Sequence, residues 1–249
     1  MATEEGATAP PSLRERRRQA ATREIVEAAE RQLEESGPGA LSLRAIARSL
    51  GMTVQALYHY FPNRDALITA LVSKGYDDLS AAVQAAVEAT DSSDLPRLVV
   101  AAEGYRAWAV AHPEWYQLLY GTPLRYYAAP VDGPTTQAAR RMSVIFQREL
   151  FGGFSTAQLA AADTPPLSPG LRAHLESLPA DGPGELPPPA AALLLQAWGH
   201  LHGMVVLEVF GHTSFMGEHQ AELFRRSMLG MLADIHRRIP GRRRAAATR

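Results

Sequence analysis

Residues 53 to 60 place several groups with useful chemistry on one very short element. Gln55 carries an amide that can pair with the edge of an adenine, and Ala56 offers a methyl group to a thymine. Tyr58 and His59 carry hydrogen-bonding groups suited to phosphate oxygens, and His59 gains positive charge when protonated. Because so short a helix is not stable alone, neighbouring elements must hold it in place.

The residues on both sides of this element predict a helix-turn-helix. Ser42 is a suitable N-cap for the segment "LRAIARSL", and Thr53 is a suitable N-cap for the next helix. Gly51 stands between them, where a tight turn requires the left-handed backbone conformation that glycine adopts without steric strain. Pro62 then ends the second helix.

The apolar pattern separates an inner and an outer face of this motif. The residues predicted to pack inward are Ile46, Leu50, Met52, Leu57 and Tyr60. The residues predicted to face outward are Thr53, Gln55, Ala56, Tyr58 and His59. A short helix with this outer face is suited to the DNA major groove.

Charge favours the same end of the chain. Residues 12 to 64 hold nine arginines and six glutamates, a net charge of +3, whereas the whole chain carries −1. This asymmetry indicates a polyanionic partner at the N-terminal end. Ser42, Arg44 and Arg64 lie at predicted helix starts, where backbone amides and guanidinium groups favour phosphate.

The rest of the chain also reads as helical, and the predicted fold class is all-α. A three-helix helix-turn-helix domain precedes a larger helical domain for ligand binding and dimerisation. We expect a long loop at Gly152 to Pro189, with one or two helical turns in "LRAHLESL", and a last helix beginning at Gly217. The predicted segments are a disordered tail at 1–11, the DNA-binding domain at 12–68, the larger domain at 69–240 with its proline-rich loop at 152–189, and a basic mobile tail at 241–249.

Composition excludes several classes of protein. The chain has no cysteine, which rules out disulfides and thiolate metal sites. Its apolar stretches are interrupted by charge, glycine or proline, so we predict no membrane span and a cytoplasmic location. His200 and His202 lie two apart on a predicted helix and point to different faces, so we expect no metal site. No cofactor is expected, and the common enzyme motifs are missing from the sequence.

The segment from "REIVEAAERQLEESG" through "LSLRAIARSLGMTVQALYHYF" to "PNRDALITAL" resembles the DNA-binding domain of the TetR (tetracycline-repressor-like) transcription regulators. The resemblance covers about residues 20 to 70. It implies a regulator, most simply a repressor, that binds double-stranded operator DNA and is not an enzyme. The residues assigned to DNA binding are Arg18, Thr22, Ser42, Arg44, Thr53, Gln55, Ala56, Tyr58, His59 and Arg64.

The resemblance also implies a homodimer, formed through the last two long helices, and a small effector in the larger domain. Trp198, His202 and Gly203 resemble the Trp-His-Gly signature of one C-terminal subgroup. The aromatic residues between Tyr105 and Phe154 can enclose an apolar pocket for a small apolar or aromatic effector. The residues assigned to ligand binding are Trp108, Tyr116, Tyr120, Phe146 and His202.

A different class of protein stays open at this point. A helical enzyme or small-molecule carrier could use the same aromatic pocket for chemistry, with the N-terminal block as an interaction module. Such an enzyme would need acid and base groups that converge on the pocket. The candidates in the sequence are Glu103, Glu208 and His202.

Overall fold

A computed structural model describes residues 12–89, 95–121, 127, 133–178 and 185–241. Within these ranges the chain forms eleven α-helices and no β-strand, which confirms the all-α fold class. The helices are α1 (Leu13–Ser36), α2 (Leu43–Ser49), α3 (Val54–Tyr58), α4 (Arg64–Glu88), α5 (Arg97–Ala111), α6 (Pro113–Tyr120), α7 (Pro134–Phe151), α8 (Thr156–Ala160), α9 (Pro169–Glu176), α10 (Pro188–Val209) and α11 (Gln220–Arg238).

Each of the first four helices begins at a side-chain N-cap, and those at Ser42 and Thr53 are the caps that the sequence predicts. The side chains of Ser12, Ser42, Thr53 and Asn63 each accept a hydrogen bond from a backbone N–H three residues later, at 3.2, 3.4, 3.1 and 2.8 Å. At the start of α1 the Glu15 carboxylate also accepts a hydrogen bond from the Ser12 N–H, which completes a capping box. Each such cap contributes about 1 kcal/mol. These caps therefore define where the helices of the N-terminal domain start.

Helices α1 to α4 share a compact apolar core. Ile25 and Leu33 of α1, Ile46 of α2 and Leu57 of α3 are all buried in it. Gly51 turns the chain between α2 and α3 with φ +64°, the left-handed conformation that its position predicts. The core thus sets α3 across α2 in helix-turn-helix order.

Helix α4 belongs to both halves of the molecule. Its buried residues Leu67 and Leu71 face the N-terminal core, and Leu79, Val83 and Val87 lie farther along toward α5 and α7. At the buried Gly75, a Cβ atom would stand 3.1 Å from both Leu119 Cδ2 and Trp115 Cε3. Glycine here lets α6 approach the α4 backbone closely.

The larger domain is built around α5, which α4, α6, α7, α10 and α11 surround. One side of α5 carries Val99, Ala102, Tyr105 and Ala109, all fully buried. At Gly104, a Cβ atom would stand only 2.9 Å from the Cβ of Ala86 on α4. The α4–α5 contact therefore has no space for a larger side chain at this position.

The proline-rich segment contains more structure than the sequence predicts. Helix α9 lies at the predicted helical turns, and α8 is an additional short helix. Leu159 and Leu175 are buried against α10, and the Asp163 N–H donates to the Arg238 carbonyl at 2.8 Å. The segment is thus packed against the last two helices. Helix α11 begins at Gln220 rather than Gly217, because Gly217 has non-helical angles, φ 54° and ψ −131°.

One helix of the described residues, α10, is long and apolar enough by length and composition to cross a membrane. The sequence pattern predicts no such segment. In this fold 39% of the apolar stretch is buried inside the protein, where Leu193, Leu201 and Val205 join the core. A single helix of this kind is weak evidence for a membrane span, since buried core helices have the same composition.

The close α4–α5 contact generates a stability prediction. Gly104→Val should lower the free energy of unfolding by about 2–3 kcal/mol, because the added methyl groups overlap Ala86 and the Val83 backbone. Gly170→Val is the matched control. Gly170 lies in α9, where a Cβ atom would meet nothing within 4 Å, and the expected change is within about 0.5 kcal/mol. Urea unfolding of both variants measures the difference, and equal stabilities would contradict the packing described here.

Candidate functional site

The outer surface of α3 presents the side chains that can read DNA. Gln55, Tyr58 and His59 are exposed, with 42% of Tyr58 accessible, and Ala56 is half-buried. Leu57 is the one buried residue of α3 and has no accessible surface. Leu57 thus anchors α3 on the core, and the partly buried Val54 packs against the same core, while Gln55, Tyr58 and His59 remain exposed.

The N-terminal part of α1 adds positive charge beside the end of α3. The Arg18 guanidinium donates to the His59 carbonyl at 3.3 Å and lies 6.0 Å from the centre of the Tyr60 ring. Thr22 is half-buried, and its hydroxyl donates to the Arg18 carbonyl at 2.9 Å. Arg14, Arg17 and Arg18 of α1 border a surface groove whose other side is formed by His59 and Tyr60. The groove can hold a phosphate next to the surface of α3.

A second group of predicted DNA-binding residues lies around the start of α2. Arg44 is exposed there. The Ser42 N–H donates to Gln32 Oε1 at 3.1 Å, and Arg64 Nε donates to the Leu41 carbonyl at 3.2 Å. Arg64 therefore braces the residue before the Ser42 cap, a role that its sequence position did not predict. The Arg64 guanidinium has other N–H donors, which are of the kind that bind phosphate.

The larger domain contains an apolar cavity of about 310 Å³. Helices α4, α5, α6, α7, α10 and α11 all contribute to its wall. The aromatic lining residues are Tyr76, Tyr120, Phe146 and Trp198. The other lining residues are Leu98, Ala139, Met142, Ser143, Leu150, Leu194, Leu195, Ala197, Leu201 and Met231.

The structure distributes the predicted ligand-binding residues over three places. Tyr120 and Phe146 line the cavity. Tyr116 and His202 lie behind Tyr120, whose ring centre is 5.1 and 4.6 Å from theirs. Trp108 is outside the set of lining residues and stacks on His112, with ring centres 5.1 Å apart, because it lies near the end of α5.

A polar cluster behind the cavity joins two tyrosines to His202. The hydroxyls of Tyr105 and Tyr116 lie 2.9 and 3.0 Å from His202 Nδ1. Burial lowers the pKa of His202, which favours the neutral imidazole, and burial raises the pKa of Tyr116 to about 12. His200, on another face of α10, contacts the Ser227 hydroxyl at 2.7 Å. The two histidines thus have separate partners.

Two cavity residues were not selected from the sequence, Tyr76 and Trp198. Trp198 precedes His202 by one helical turn, and the two rings stack at 5.1 Å. This i, i+4 spacing is a signal that could have placed Trp198 at the site. Tyr76 comes from α4, more than forty residues before Tyr120 in the chain, and no local pattern indicates their edge-to-face contact at 5.6 Å.

Helix α6 connects the cavity to the N-terminal domain. It carries Tyr116 and Tyr120 on the cavity side. On its other side the Trp115 indole N–H donates to Glu34 of α1 at 3.1 Å, and the Lys74 ammonium of α4 lies 5.6 Å from the Trp115 ring. Movement of α6 would therefore affect both α1 and α4.

Two family models match the chain. One, described as bacterial regulatory proteins of the tetR family, matches residues 25–71, the helices that carry the α3 surface. The other, described as a tetracyclin repressor-like C-terminal domain, matches residues 98–231, which include most of the cavity lining. The Trp-His-Gly subgroup stays a prediction.

Similar proteins cover most of the chain. The HTH-type transcriptional regulator Rv1816 of Mycobacterium tuberculosis is 36% identical over 190 residues, which is 75% of this chain and 80% of that protein. SCO4313, a protein with a crystal structure, shares 33% sequence identity with this chain. The two structures superpose with a TM-score of 0.69, and the match covers 89% of this chain and 100% of that one. A Rhodococcus sp. RHA1 protein of unknown function shares the fold, with 23% identity, a TM-score of 0.62 and coverage of 86% and 94%.

The neutral His202 generates a pH prediction. Its pKa is lower in the folded protein than the ordinary value of 6.5, so the unfolded chain binds the proton more readily. The stability contributed by His202 is therefore present above pH 6.5 and is lost as the pH falls below it. Between pH 7.5 and 5.5, the melting temperature of the wild-type protein should fall further than that of His202→Asn, which has no titrating group at position 202.

The control for this experiment is His212→Asn, since His212 is exposed. That variant should follow the wild-type pH dependence. If His202→Asn and His212→Asn show the same slope as wild type, the titration of His202 does not contribute to stability.

Proposed function

Because the chain belongs to the TetR family of bacterial regulatory proteins, which are helix-turn-helix transcriptional regulators, we propose that it is a repressor released from a palindromic operator by a small molecule. The observation that carries this proposal is the surface of α3, held by Leu57 and exposing Gln55, Tyr58 and His59. The protein acts where the DNA is, in the cytoplasm. An apolar cavity in the same chain provides the place for the small molecule.

Each side chain of the α3 surface has a role set by its chemistry. Gln55 pairs with an adenine edge in the major groove, and Ala56 contacts a thymine methyl group. Thr53 caps α3 with its hydroxyl oxygen and donates its hydroxyl hydrogen to a phosphate. Tyr58 and His59 bind phosphates beside the groove.

The residues around this surface position the protein on the DNA backbone. Arg18 and Thr22 of α1 flank the end of α3, and Ser42, Arg44 and Arg64 surround the start of α2. Phosphate contacts at both places hold α3 at a fixed angle in the groove. Arg64 serves in two ways, because it also supports the Leu41 carbonyl.

The outer faces of α10 and α11 together fit the interface of a homodimer. Gly199 and Gly203 lie one turn apart on α10, and Gly230 lies on α11; a Cβ atom at any of them would meet nothing within 4 Å. Glycine inside a helix costs about 1 kcal/mol relative to alanine, so its use here needs a reason outside the protomer. Close approach of a second copy supplies one. Leu207 and Phe210 are exposed on the same side of α10.

In the proposed dimer, two α3 helices enter successive major grooves about 34–36 Å apart, one turn of the DNA. An effector in the cavity contacts Tyr120 and Phe146 directly, and it acts on Tyr116 and His202 through Tyr120. Because Tyr76 of α4 also lines the cavity, ligand binding biases the helix that carries the DNA-binding domain. A coupling of about 1–3 kcal/mol would weaken operator binding roughly 5–150-fold.

The alternative, an enzyme or carrier, has less support from the site. Glu103 forms an ion pair with Arg225, and Glu208 forms one with Arg106. Neither glutamate is among the residues that line the cavity. Both candidate acids are thus engaged elsewhere in the domain, and the third candidate, His202, contacts the hydroxyls of Tyr105 and Tyr116.

Base reading by Gln55 is testable with a DNA selection. Gln55→Ala should relax the preference at one base position of each half-site, by about 1–3 kcal/mol in discrimination, because a bidentate contact is lost. Arg44→Ala is the control and should weaken binding to all sequences alike, with a shallower salt dependence. Unchanged base preference in Gln55→Ala would show that Gln55 does not read the operator.

Dimerisation through α10 is tested at Gly203. Gly203→Leu should convert the dimer to monomer and abolish binding to the palindrome, because the side chain occupies the space of the partner helix. Gly170→Leu, at an exposed position in α9, should leave both unchanged. Analytical ultracentrifugation measures the mass, and a fully dimeric Gly203→Leu protein would place the interface elsewhere.

A further inference from the structure

In the part of the chain that the structure describes, the cavity wall carries no charged side chain. Among the described residues that line it, the polar side chains are Tyr76, Tyr120, Ser143 and Trp198, and none is Asp, Glu, Lys, Arg or His. The described residues of the wall therefore offer a few hydrogen bonds and no counter-charge. A carboxylate or ammonium group placed there would lose its hydration without a partner, which is strongly unfavourable.

The tyrosines of the wall are neutral, and so is the histidine in the polar cluster behind it. Burial raises the pKa of Tyr76 and raises that of Tyr120 well above its ordinary value of 10, so both keep their hydroxyl hydrogens at physiological pH. Next to Tyr120, the hydroxyls of Tyr105 and Tyr116 already contact His202. Burial lowers the pKa of His202, so this ring does not become a counter-ion for an anion.

The size and walls of the cavity favour a small flat molecule. Its volume of about 310 Å³ is near the lower end of the ~300–1,000 Å³ range of ligand pockets. Four aromatic rings from four different helices line it, and they pack edge to face, Tyr76 on Tyr120 at 89° and Phe146 on Trp198 at 61°. Such walls contact an aromatic ring favourably on both its faces and edges.

We infer that the effector is a small, electrically neutral aromatic molecule with one hydroxyl or carbonyl group, which hydrogen bonds to the Tyr76 hydroxyl. This inference rests on the proposed function of the cavity and specifies its ligand class. Among the described residues, Tyr76 is the α4 residue that lines the cavity, and its ring packs edge to face on Tyr120 of α6 at 5.6 Å. A ligand group that bonds to Tyr76 acts on the two helices that contact the DNA-binding domain.

Charge selection is tested with a fluorescent probe and three competitors on the full-length protein. N-phenyl-1-naphthylamine, a neutral probe that emits in apolar sites, should bind one molecule per protomer. It should be displaced by 2-naphthol, and at least tenfold more weakly by 2-naphthoate and by 2-naphthyltrimethylammonium. Equal displacement by either charged competitor, or no saturable probe binding, would overturn the inference.

The site of probe binding is established by filling the cavity. Ala139→Trp and Ser143→Phe each place a larger side chain in the lining and should abolish probe binding. Both variants must keep wild-type operator affinity and circular dichroism, and two positions guard against one variant failing to fold. Undiminished probe binding in a folded variant would place the probe outside the cavity and overturn the assignment.

The hydrogen bond is tested by removing one hydroxyl at a time. Tyr76→Phe should lower the affinity for 2-naphthol about 3- to 10-fold and leave that for naphthalene unchanged. Ser177→Ala removes a hydroxyl that lies outside the cavity lining and should affect neither compound. If Tyr76→Phe binds 2-naphthol as tightly as the wild-type protein does, Tyr76 is not the anchor.

Operator binding separates this inference from the proposed function. If 2-naphthol binds as expected but leaves the operator affinity unchanged, the ligand class stands and the proposed release mechanism fails. If a charged compound binds in the cavity and weakens operator binding, the release mechanism stands and the neutral ligand class fails.

Discussion

The structure depends on the way α4 buries one row of side chains in a core that continues from the N-terminal domain into the larger domain. Its buried residues recur every four positions, from Leu67 through Leu71, Gly75, Leu79 and Val83 to Val87. Because successive residues of an α-helix are about 100° apart, a step of four advances the row by ~40°, so it winds roughly 200° along the helix. The front of α4 therefore packs on α1 and the rear packs on α5 and α7. A single unbroken helix thus joins the two domains.

Helix α6 reinforces this connection at the middle of the row. Gly75 brings α6 close to the α4 backbone, and Trp115 reaches across to Glu34 of α1. The same helix carries Tyr120 to the cavity wall. The cavity and the DNA-binding domain are therefore linked through packed helices rather than through a flexible loop, which is the kind of contact that transmits a small displacement.

Local signals explain what the sequence could and could not predict. The caps at Ser42 and Thr53 and the turn at Gly51 depend on neighbouring residues, and these features appear in the structure as predicted. The cavity depends on residues brought together from six helices, so Tyr76 was missed and Trp108 lies elsewhere. Helix α8 was missed because its five residues are too short for a periodic pattern and are stabilised by tertiary contacts. The DNA contacts that the sequence assigns stay predictions.

The attachment of α3 to the core through Leu57 and Val54 has a consequence for how such proteins diversify. Residues that choose the target sequence are separate from the residues that hold the helix, so we expect substitutions at positions such as Gln55 to leave the free energy of folding nearly unchanged. After gene duplication, one copy can acquire a new set of target promoters without passing through an unstable intermediate. The same separation makes the surface suitable for engineering altered target preference.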